Sequence, residues 1–469
     1  MKKILSFFLA LSFGLLSVSA QNKDPEFVKY MNSPWVDSVY KSMTLKQQIG
    51  QMIFVELRPS NPSTVVKAMQ DVKDLNVGGA VLFLSKLPDQ AATINGLQSI
   101  ARTPLLIAID GEWGLGMRLQ DVDNFPYQMA LGSLKDNSLI YKMGLEVARQ
   151  AKRAGLHINL APTVDVNNNS LNPVIGYRSF GEDPKDVAAK GFSYIKGMED
   201  GGIICTAKHF PGHGDTETDS HADLPLISHD MNRLNSVELM PFHELVKNGA
   251  TGIMTAHLNV PAITGNSLPT SLSPKAIKEL IRDKWGYKGL IFTDGMEMRG
   301  ISKYYSPGQA ARMAAEAGND ILELVRDPKE AIDSIYAAVQ KGQISKKQIE
   351  ESVRRILAIK YYVGLNKYKP TNTWNIVSDV NSPASKLLIR QMTEKTITGL
   401  QNNDNILPLE TGKFKKIAVV SLRSDNSDVF YNRFKKYFKA DYFKYDFKNS
   451  VTKADDILDS LKKYDLVIA

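Results

Sequence analysis

The stretch GLIFTD, residues 289–294, is a short apolar run that ends in a carboxylate. Its apolar residues are consecutive rather than alternating, which is typical of a parallel strand that is buried on both faces. Seven further runs of this kind recur along the chain, and most of them end in polar residues. They are Gly50–Glu56, Gly78–Leu84, Pro104–Asp110, His157–Asp165, Ile203–His209, Gly252–His257 and Asn319–Val325.

Helical patterns lie between these predicted strands. The clearest are predicted over Ser138–Ala154, Asp186–Asp200, Leu234–Asn248, Ser273–Lys284 and, with Ser345 as its N-cap and Gly364 as its stop, Ser345–Tyr362. Eight strand–helix units in about 280 residues have the number and size of a (β/α)₈ barrel of the TIM type. A doubly wound open sheet is the alternative, although no G-x-G-x-x-G motif follows the first predicted strand.

The ends of the predicted strands carry the side chains of interest. In a (β/α)₈ barrel the active site forms where the carboxyl ends of the strands meet. Six of the eight predicted strands end in a charged or imidazole side chain. Each of these side chains alone could have a purely structural role, but separate structural roles would not explain why six of them meet at the same rim of the barrel. The residues are Glu56, Asp110, Asp165, Lys208 with His209, His257 and Asp294.

A second domain is predicted after the barrel. A polar connector is followed by a predicted helix over Pro383–Thr396 and by predicted strands over Lys416–Leu422 and Asp465–Ala469. Because a parallel strand pair needs neighbours to be buried, we expect this α/β sandwich domain to be truncated at residue 469. The predicted boundaries are 21–365 for the barrel, 366–395 for the linker and 396–469 for the partial second domain.

The first 20 residues have the pattern of a secretory signal peptide. Lys2 and Lys3 precede the apolar run Ile4–Leu16, and small residues follow up to Ala20. Since the run is too short to span a bilayer comfortably, we expect cleavage after Ala20 and export to the periplasm or medium. One cysteine among 469 residues excludes a disulfide framework, and the scattered net charge of +8 does not favour nucleic-acid binding.

The segment KHFPGHGDTETDSHADLP, residues 208–225, is the richest in groups that carry chemistry. A solvated loop is its simplest interpretation. A zinc site at His209 and His213 is a second, but the Pro-Gly pair between them prevents the helix that their spacing would require. Acid–base catalysis is the third: Asp219 lies two residues before His221, on the same side of an extended chain, where a carboxylate holds an imidazole protonated.

Asp294 is the second candidate for catalysis. It ends a predicted buried strand, and Gly295 after it allows another group to approach closely. Carboxylates are the usual nucleophiles of retaining glycosidases. An isolated aspartate after a strand is also a common helix N-cap, so both interpretations stay open for this residue alone.

Five motifs follow one another along the chain: IDGEWGLGMRL (109–119), YRSFG (177–181), KHFPGHGDT (208–216) with DSH (219–221), MTAH (254–257) and FTDGMEM (292–298). In this order they resemble glycoside hydrolase family 3, and within it the NagZ-like β-N-acetylglucosaminidase branch. The resemblance implies that Asp294 is the nucleophile, His221 the proton donor and Asp219 the partner of that histidine. The sugar-binding positions of the family match Asp110, Arg118, Arg178, Lys208 and His209.

The resemblance implies a retaining exo-β-N-acetylglucosaminidase that needs no metal or organic cofactor. We expect a monomer that acts on peptidoglycan or chitin fragments, without stable membrane insertion. The alternatives are a phosphorylase, because an imidazole acid repels phosphate less than a glutamate does, and a non-catalytic glycan-binding barrel. The sequence departs from the single-domain enzymes at one motif, where it has Gly111, Trp113 and Leu115 in place of a Gln and a Gly pair. This departure affects the binding of the sugar on the leaving-group side. Trp113 either offers an aromatic platform for that sugar or simply packs against its neighbours.

Overall fold

The computed structural model describes residues 22–220, 223–422, 427–445 and 454–469. They belong to two compact units, one extending to Ile397 and one beginning at Thr398. The predicted signal peptide and His221 lie outside the described residues. Within the described ranges, the helices are all too short or too polar to cross a membrane.

The first unit is built on eight parallel strands. They are β1 (Ile53–Leu57), β2 (Gly79–Leu82), β3 (Leu106–Ile109), β4 (Ile158–Asn159), β5 (Ile204–Phe210), β6 (Gly252–Thr255), β7 (Leu290–Thr293) and β8 (Leu322–Glu323). Consecutive strands are neighbours from β1 to β7, and β8 pairs with β1. A parallel bridge from Phe292 to Ile321 joins β7 to the start of β8. The predicted (β/α)₈ barrel is thereby confirmed, and the open-sheet alternative is wrong.

Helices flank the barrel strands. The α-helices of the first unit are α1 (Pro34–Ser42), α2 (Leu45–Gly50), α3 (Pro62–Leu75), α4 (Leu87–Ile100), α5 (Gln128–Gly132), α6 (Ser138–Arg153), α7 (Pro184–Asp200), α8 (Met231–Ser236), α9 (Met240–Lys247), α10 (Pro261–Thr264), α11 (Arg299–Ser302), α12 (Pro307–Ala317), α13 (Pro328–Gln340), α14 (Lys346–Tyr362), α15 (Ile376–Val380) and α16 (Pro383–Thr396). Short 3₁₀ turns cover Glu26–Tyr30, Leu115–Met117, Gly176–Arg178, Thr270–Leu272 and Leu365–Lys367.

Local sequence determines where the last barrel helix, α14, begins and ends. The Ser345 hydroxyl accepts a hydrogen bond from the Gln348 N–H at 3.1 Å, which satisfies one of the free donors of the first turn. Gly364 has a φ of 87°, the left-handed conformation that a glycine adopts most readily after a helix. Both predicted ends of this helix are confirmed.

Three predicted elements differ from those observed. The predicted helix Leu234–Asn248 is divided into α8 and α9, because Pro241 has no N–H to continue the helical ladder. The predicted strand His157–Asp165 is only two residues long, since Pro162 cannot donate to the sheet. The predicted α-helix Ser273–Lys284 is a π-helix over Lys275–Lys284, for which the sequence pattern holds no distinct signal.

The barrel strands are buried on both faces, as their continuous apolar pattern predicts. All seven residues of β5 are buried, including the single cysteine of the chain, Cys205. Burial raises the pKa of the Cys205 thiol well above its usual range. The strands therefore form the core, and polar side chains that carry chemistry are confined to their ends.

The second unit contains a three-stranded parallel sheet. Its strands are β9 (Ile417–Leu422), β10 (Asp441–Tyr445) and β11 (Leu466–Ile468), with β9 in the centre. Helices α17 (Ser427–Phe434) and α18 (Ala454–Leu461) lie between them along the chain. The two predicted strands are confirmed, whereas β10 was not predicted because its side chains are half-buried or exposed and form no apolar run.

Two glycines of the barrel unit are expected to respond oppositely to replacement by alanine. A Cβ atom on Gly78 would lie 1.8 Å from the Gln51 carbonyl oxygen, so Gly78→Ala should lower stability by about 3 kcal/mol through backbone displacement. Gly96 is exposed in α4 with open space around its Cα, so Gly96→Ala should raise stability by about 0.5–1 kcal/mol. Thermal unfolding of the two variants checks this; melting temperatures shifted in the same direction would contradict it.

Candidate active site

A cavity of about 330 Å³ lies at the carboxyl ends of the barrel strands. Six of the eight predicted site residues line it. They are Asp110 after β3, Arg118 and Arg178 in the loops that follow β3 and β4, Lys208 and His209 in β5, and Asp294 after β7. The structure thus brings together side chains that are up to 184 positions apart in the sequence.

Five charged side chains form a network at one side of the cavity. The Lys208 ammonium donates to Asp110 Oδ1 at 2.8 Å and pairs with Glu112 Oε1 at 3.0 Å. Arg118 donates to Asp110 Oδ2 at 2.6 Å. Arg178 donates to both oxygens of Glu112, at 2.9 and 2.7 Å, in a bidentate pair. Two carboxylates and three cations leave one positive charge in excess.

Burial and pairing act in opposite directions on these groups. Burial alone would raise the pKa of Asp110, but the charges of Lys208 and Arg118 outweigh it and lower that pKa to about 2. The pKa of Glu112 is likewise well below its usual range, because Lys208 and Arg178 outweigh burial. Burial would lower the pKa of Lys208, but Asp110 and Glu112 raise it. All three groups are therefore charged at neutral pH.

Asp165 organises the strand end from beneath. Its carboxylate is fully buried and accepts hydrogen bonds from the His209 N–H at 3.1 Å, from His209 Nδ1 at 2.7 Å and from the His213 N–H at 2.6 Å. On the other side of the ring, His209 Nε2 lies 3.3 Å from Arg178 Nη2. Asp165 is therefore a support of the site and does not line the cavity.

Metal binding by the histidines of this loop is not favoured by their contacts. His213 Nδ1 lies 2.8 Å from the Thr216 hydroxyl and Nε2 lies 3.0 Å from the Ser220 hydroxyl. Burial, together with His209, lowers the pKa of His213 to about 4, so the ring is neutral. Both nitrogens of His213 are engaged in hydrogen bonds, and it anchors Ser220, which lines the cavity.

A second cluster of metal-ligand type lies nearby. Asp215, His229 and Glu238 offer ligand atoms within 4.8 Å of one another. Arg233 already supplies a positive charge there, at 2.9 Å from Glu238 Oε1 and 3.7 Å from Asp215 Oδ2. His229 Nε2 also bonds Asp215 at 2.6 Å. The acidic groups of this cluster are therefore already paired with side chains of the chain itself.

Backbone contacts fix Asp294 at the cavity, and it does not cap a helix. Its N–H donates to the Thr255 carbonyl at 2.9 Å, and Oδ1 accepts from the Gly295 N–H at 2.8 Å. The next helix, α11, has Met298 as its N-cap, so the N-cap interpretation of Asp294 is wrong. Burial would raise the pKa of Asp294, but His209, His257 and the Gly295 N–H lower it. The carboxylate is ionised and half-buried.

The segment that contains Asp219 is fastened at several points. The Asp219 carbonyl accepts from the Asp223 N–H at 3.0 Å, and the Ser220 carbonyl accepts from the Gly300 N–H at 3.2 Å. The Asp223 carboxylate accepts from Lys303 Nζ and from the Tyr304 hydroxyl, each at 2.7 Å. The loop after β5 is thus tied to the segment that follows Asp294. The Asp219 side chain is half-buried.

Besides Asp165, two more of the strand-end residues do not line the cavity. Glu56 pairs with Arg58 at 2.8 Å and faces a separate cavity between β1 and α3. His257 is fully buried, with Nδ1 at 2.7 Å from the Ser271 hydroxyl and Nε2 donating to the Gly295 carbonyl at 3.0 Å. Its role is to support the turn after Asp294. The prediction that all six strand ends form one site is therefore correct only in part.

Sequence reasoning missed three acidic residues of the cavity, Glu112, Glu297 and Glu323. Glu112 lies two positions after Asp110 within a quoted motif, so its spacing was available as a signal. Glu323 is the last residue of β8, follows the apolar residues Ile321 and Leu322, and is 2% exposed. Its Oε1 has no hydrogen-bond partner among the described residues. Burial, together with Asp110 and Asp294, raises the pKa of Glu323 well above its usual range.

Comparison with known proteins places these features in context. The family model described as "Glycosyl hydrolase family 3 N terminal domain" matches residues 44–359. The chain is 29% identical to β-hexosaminidase A of Pseudoalteromonas piscicida, covering 81% of this chain and 71% of that protein. It is similar in structure to a glycoside hydrolase family 3 β-N-acetylglucosaminidase from Paenibacillus sp. str. FPU-7, with a TM-score of 0.76 and 32% identity over 91% of this chain and 84% of that one.

Glu323 is expected to destabilise the protein at neutral pH. Because its folded-state pKa is raised, the unfolded chain releases the proton first, and stability falls as pH rises above about 4.3. Glu323→Gln removes this titration, so it should raise stability by up to about 3 kcal/mol at pH 7. The gain should vanish near pH 4. Thermal unfolding at both pH values checks this, and an equal gain at the two would contradict it.

Proposed function

The chain belongs to glycosyl hydrolase family 3, and we propose that it is a retaining exo-β-N-acetylglucosaminidase. It removes a terminal β-linked N-acetylglucosamine from the non-reducing end of a glycan by hydrolysis. The observation that carries this proposal is the cavity in which the ionised Asp294 shares one space with the Asp110–Lys208–Arg118 network. The β-hexosaminidase and β-N-acetylglucosaminidase similarities support the choice of sugar.

Asp294 is proposed as the nucleophile. Its lowered pKa keeps the carboxylate free of protons at neutral pH. Among the described residues one donor, the Gly295 N–H, bonds Oδ1, which leaves Oδ2 available to attack. Attack on the anomeric carbon breaks the bond to the glycosidic oxygen and forms a covalent glycosyl-enzyme. Water then displaces Asp294 from the same carbon, so the two inversions retain the β configuration.

His221 and Asp219 are proposed as the acid–base pair. His221 protonates the leaving glycosidic oxygen and later takes a proton from the attacking water, while Asp219 orients the imidazole. Two contacts of neighbouring residues support this assignment. Ser220 lines the cavity, and its hydroxyl lies 3.0 Å from His213 Nε2. Asp223 is bonded to Lys303 and Tyr304, so the segment is fastened on both sides of the proposed acid.

The proposed sugar-binding residues differ in how much of each side chain reaches the cavity. Arg118 is 25% exposed, Arg178 17% and Asp110 16%, so these three side chains can meet sugar hydroxyls directly. Lys208 is only 3% exposed and is paired with two carboxylates. We infer that Lys208 acts chiefly by holding Asp110 ionised and in place. His209 is fixed by Asp165 beneath the same network.

The natural glycan and the cellular location are proposed from the sequence. The N-terminal signal pattern supports export, and an exported β-N-acetylglucosaminidase would meet peptidoglycan or chitin fragments. The division into a barrel over 21–365, a linker over 366–395 and a second, α/β domain over 396–469 is proposed on the same basis. No metal or organic cofactor is required by the steps above.

The proposed reaction is tested with a chromogenic β-N-acetylglucosaminide, assayed with and without inorganic phosphate. Hydrolysis releases free N-acetylglucosamine in both conditions. A phosphorylase would require phosphate and release the sugar 1-phosphate, and a non-catalytic barrel would release neither. Either of the last two results would overturn the proposal.

Asp294→Asn is expected to lower turnover by about three orders of magnitude or more, because the amide cannot form the glycosyl ester. The substitution conserves shape, so the melting temperature should change little. The measurement is kcat on the chromogenic substrate together with a thermal melt. Turnover near that of the unmodified enzyme in well-folded protein would exclude Asp294 as nucleophile.

Asp219→Asn is expected to impair poor leaving groups more than good ones. Without the carboxylate, His221 is misoriented and less basic, and protonation matters most when the leaving oxygen is strongly basic. The loss in kcat/KM should therefore be large on chitobiose and much smaller on a nitrophenyl glycoside. Equal losses on both substrates would assign Asp219 a role in loop structure only.

A further inference from the structure

Three aromatic rings form a cluster at the rim of the cavity. Trp113 packs edge-on against Tyr127 with ring centroids 4.8 Å apart, and Tyr127 lies 4.8 Å from Tyr177. Trp113 and Tyr177 are 6.2 Å apart, so each ring contacts the other two. Trp113 and Tyr177 also line the cavity that contains Asp294. The cluster is therefore continuous with the proposed catalytic site.

The cluster is held in place by polar contacts underneath it. Glu112 and Arg178, joined by their bidentate pair, are the direct sequence neighbours of Trp113 and Tyr177. The Trp113 carbonyl accepts a hydrogen bond from the Phe125 N–H at 3.0 Å.

Tyr127 is fixed separately from the other two rings. It is the residue before α5, and the first residue of that helix, Gln128, donates its side-chain amide to the Thr163 carbonyl at 2.7 Å and accepts from the Thr163 N–H at 3.2 Å. The three rings are thus positioned before any ligand arrives, Trp113 and Tyr127 by the loop after β3 and Tyr177 by the loop after β4. Such preorganisation lowers the entropy that binding must overcome.

Packing alone does not explain the position of this cluster. Tyr127 is 49% exposed and Tyr177 is 53% exposed. Neither hydroxyl has a hydrogen-bond partner among the described residues. Exposed aromatic surface that adjoins a polar cavity is typical of ligand sites, since a ring offers an apolar face and, in tyrosine, a polar edge. A pyranose matches both, because its C–H groups form an apolar face and its hydroxyls project from the edge.

We propose that Trp113, Tyr127 and Tyr177, which we term the rim platform, bind the sugars on the leaving-group side of the scissile bond. This inference rests on the proposed function, because an exo enzyme holds its terminal sugar in the cavity and directs the rest of the glycan past the rim. The platform makes the preferred substrate class β-linked oligosaccharides rather than N-acetylglucosaminides with small leaving groups. Its rings determine specificity and do not take part in bond cleavage.

The test compares kcat/KM on chitotriose with kcat/KM on N-acetyl-β-glucosaminyl azide. The azide has a small leaving group without a ring, so it does not extend over the platform. In Tyr127→Ala and in Tyr177→Ala, the ratio of the chitotriose value to the azide value should fall about fivefold to tenfold, the scale of one aromatic contact. The change should lie mainly in KM for chitotriose. Tyr177→Phe, which keeps the ring, should retain most of the ratio.

Trp374→Ala is the matched control. Trp374 is 75% exposed and does not line the proposed catalytic cavity, so its loss should leave the ratio unchanged. An unchanged ratio in both tyrosine variants, or an equal loss on the two substrates, would overturn the platform. In either case the azide activity of the unmodified enzyme would leave the proposed function standing. Failure of the unmodified enzyme on both substrates would instead overturn the proposed function.

Discussion

The Lys208 ammonium is the buried charge on which the rest of the barrel mouth depends. A charge taken out of water is tolerated only when opposite charges reach it with good geometry, and Asp110 and Glu112 do so from the loop after β3. Glu112 in turn holds Arg178 from the loop after β4. One set of pairings therefore joins β5 to two loops that are distant from it in sequence. The cavity exists in its binding form before a sugar enters.

The histidines of the barrel mouth divide into two groups. His209, His213 and His257 are each engaged by carboxylate, hydroxyl or carbonyl partners, so they maintain loop structure and orient neighbouring groups. Proton transfer is left to the proposed His221. Its neighbour Ser220 is bonded to His213, and Asp223 is bonded to Lys303 and Tyr304 in the chain after β7. Different histidines thus support the loops and, in the proposal, transfer the proton.

The sequence predicted the parts of this site that follow from periodicity. Asp110, Lys208 and Asp294 end buried strands, and parallel strands bring their ends to one edge, so their proximity was predictable. Glu56 shows where that argument fails, because a strand end does not specify which way its side chain points. Glu323 was missed because one acidic residue next to apolar residues does not change the hydrophobic pattern from which the strand is predicted. The π-helix and β10 depend on packing that no local pattern records.

The burial of Cys205 has a practical consequence. Cys205 is 1% exposed near the start of β5 and its thiol resists ionisation, so it is unreactive towards maleimide or iodoacetamide while the barrel is folded. No other cysteine occurs in the chain. A cysteine introduced at an exposed position can therefore carry a fluorophore or spin label without prior removal of the native one. Labelling of Cys205 itself becomes a measure of how often the barrel opens.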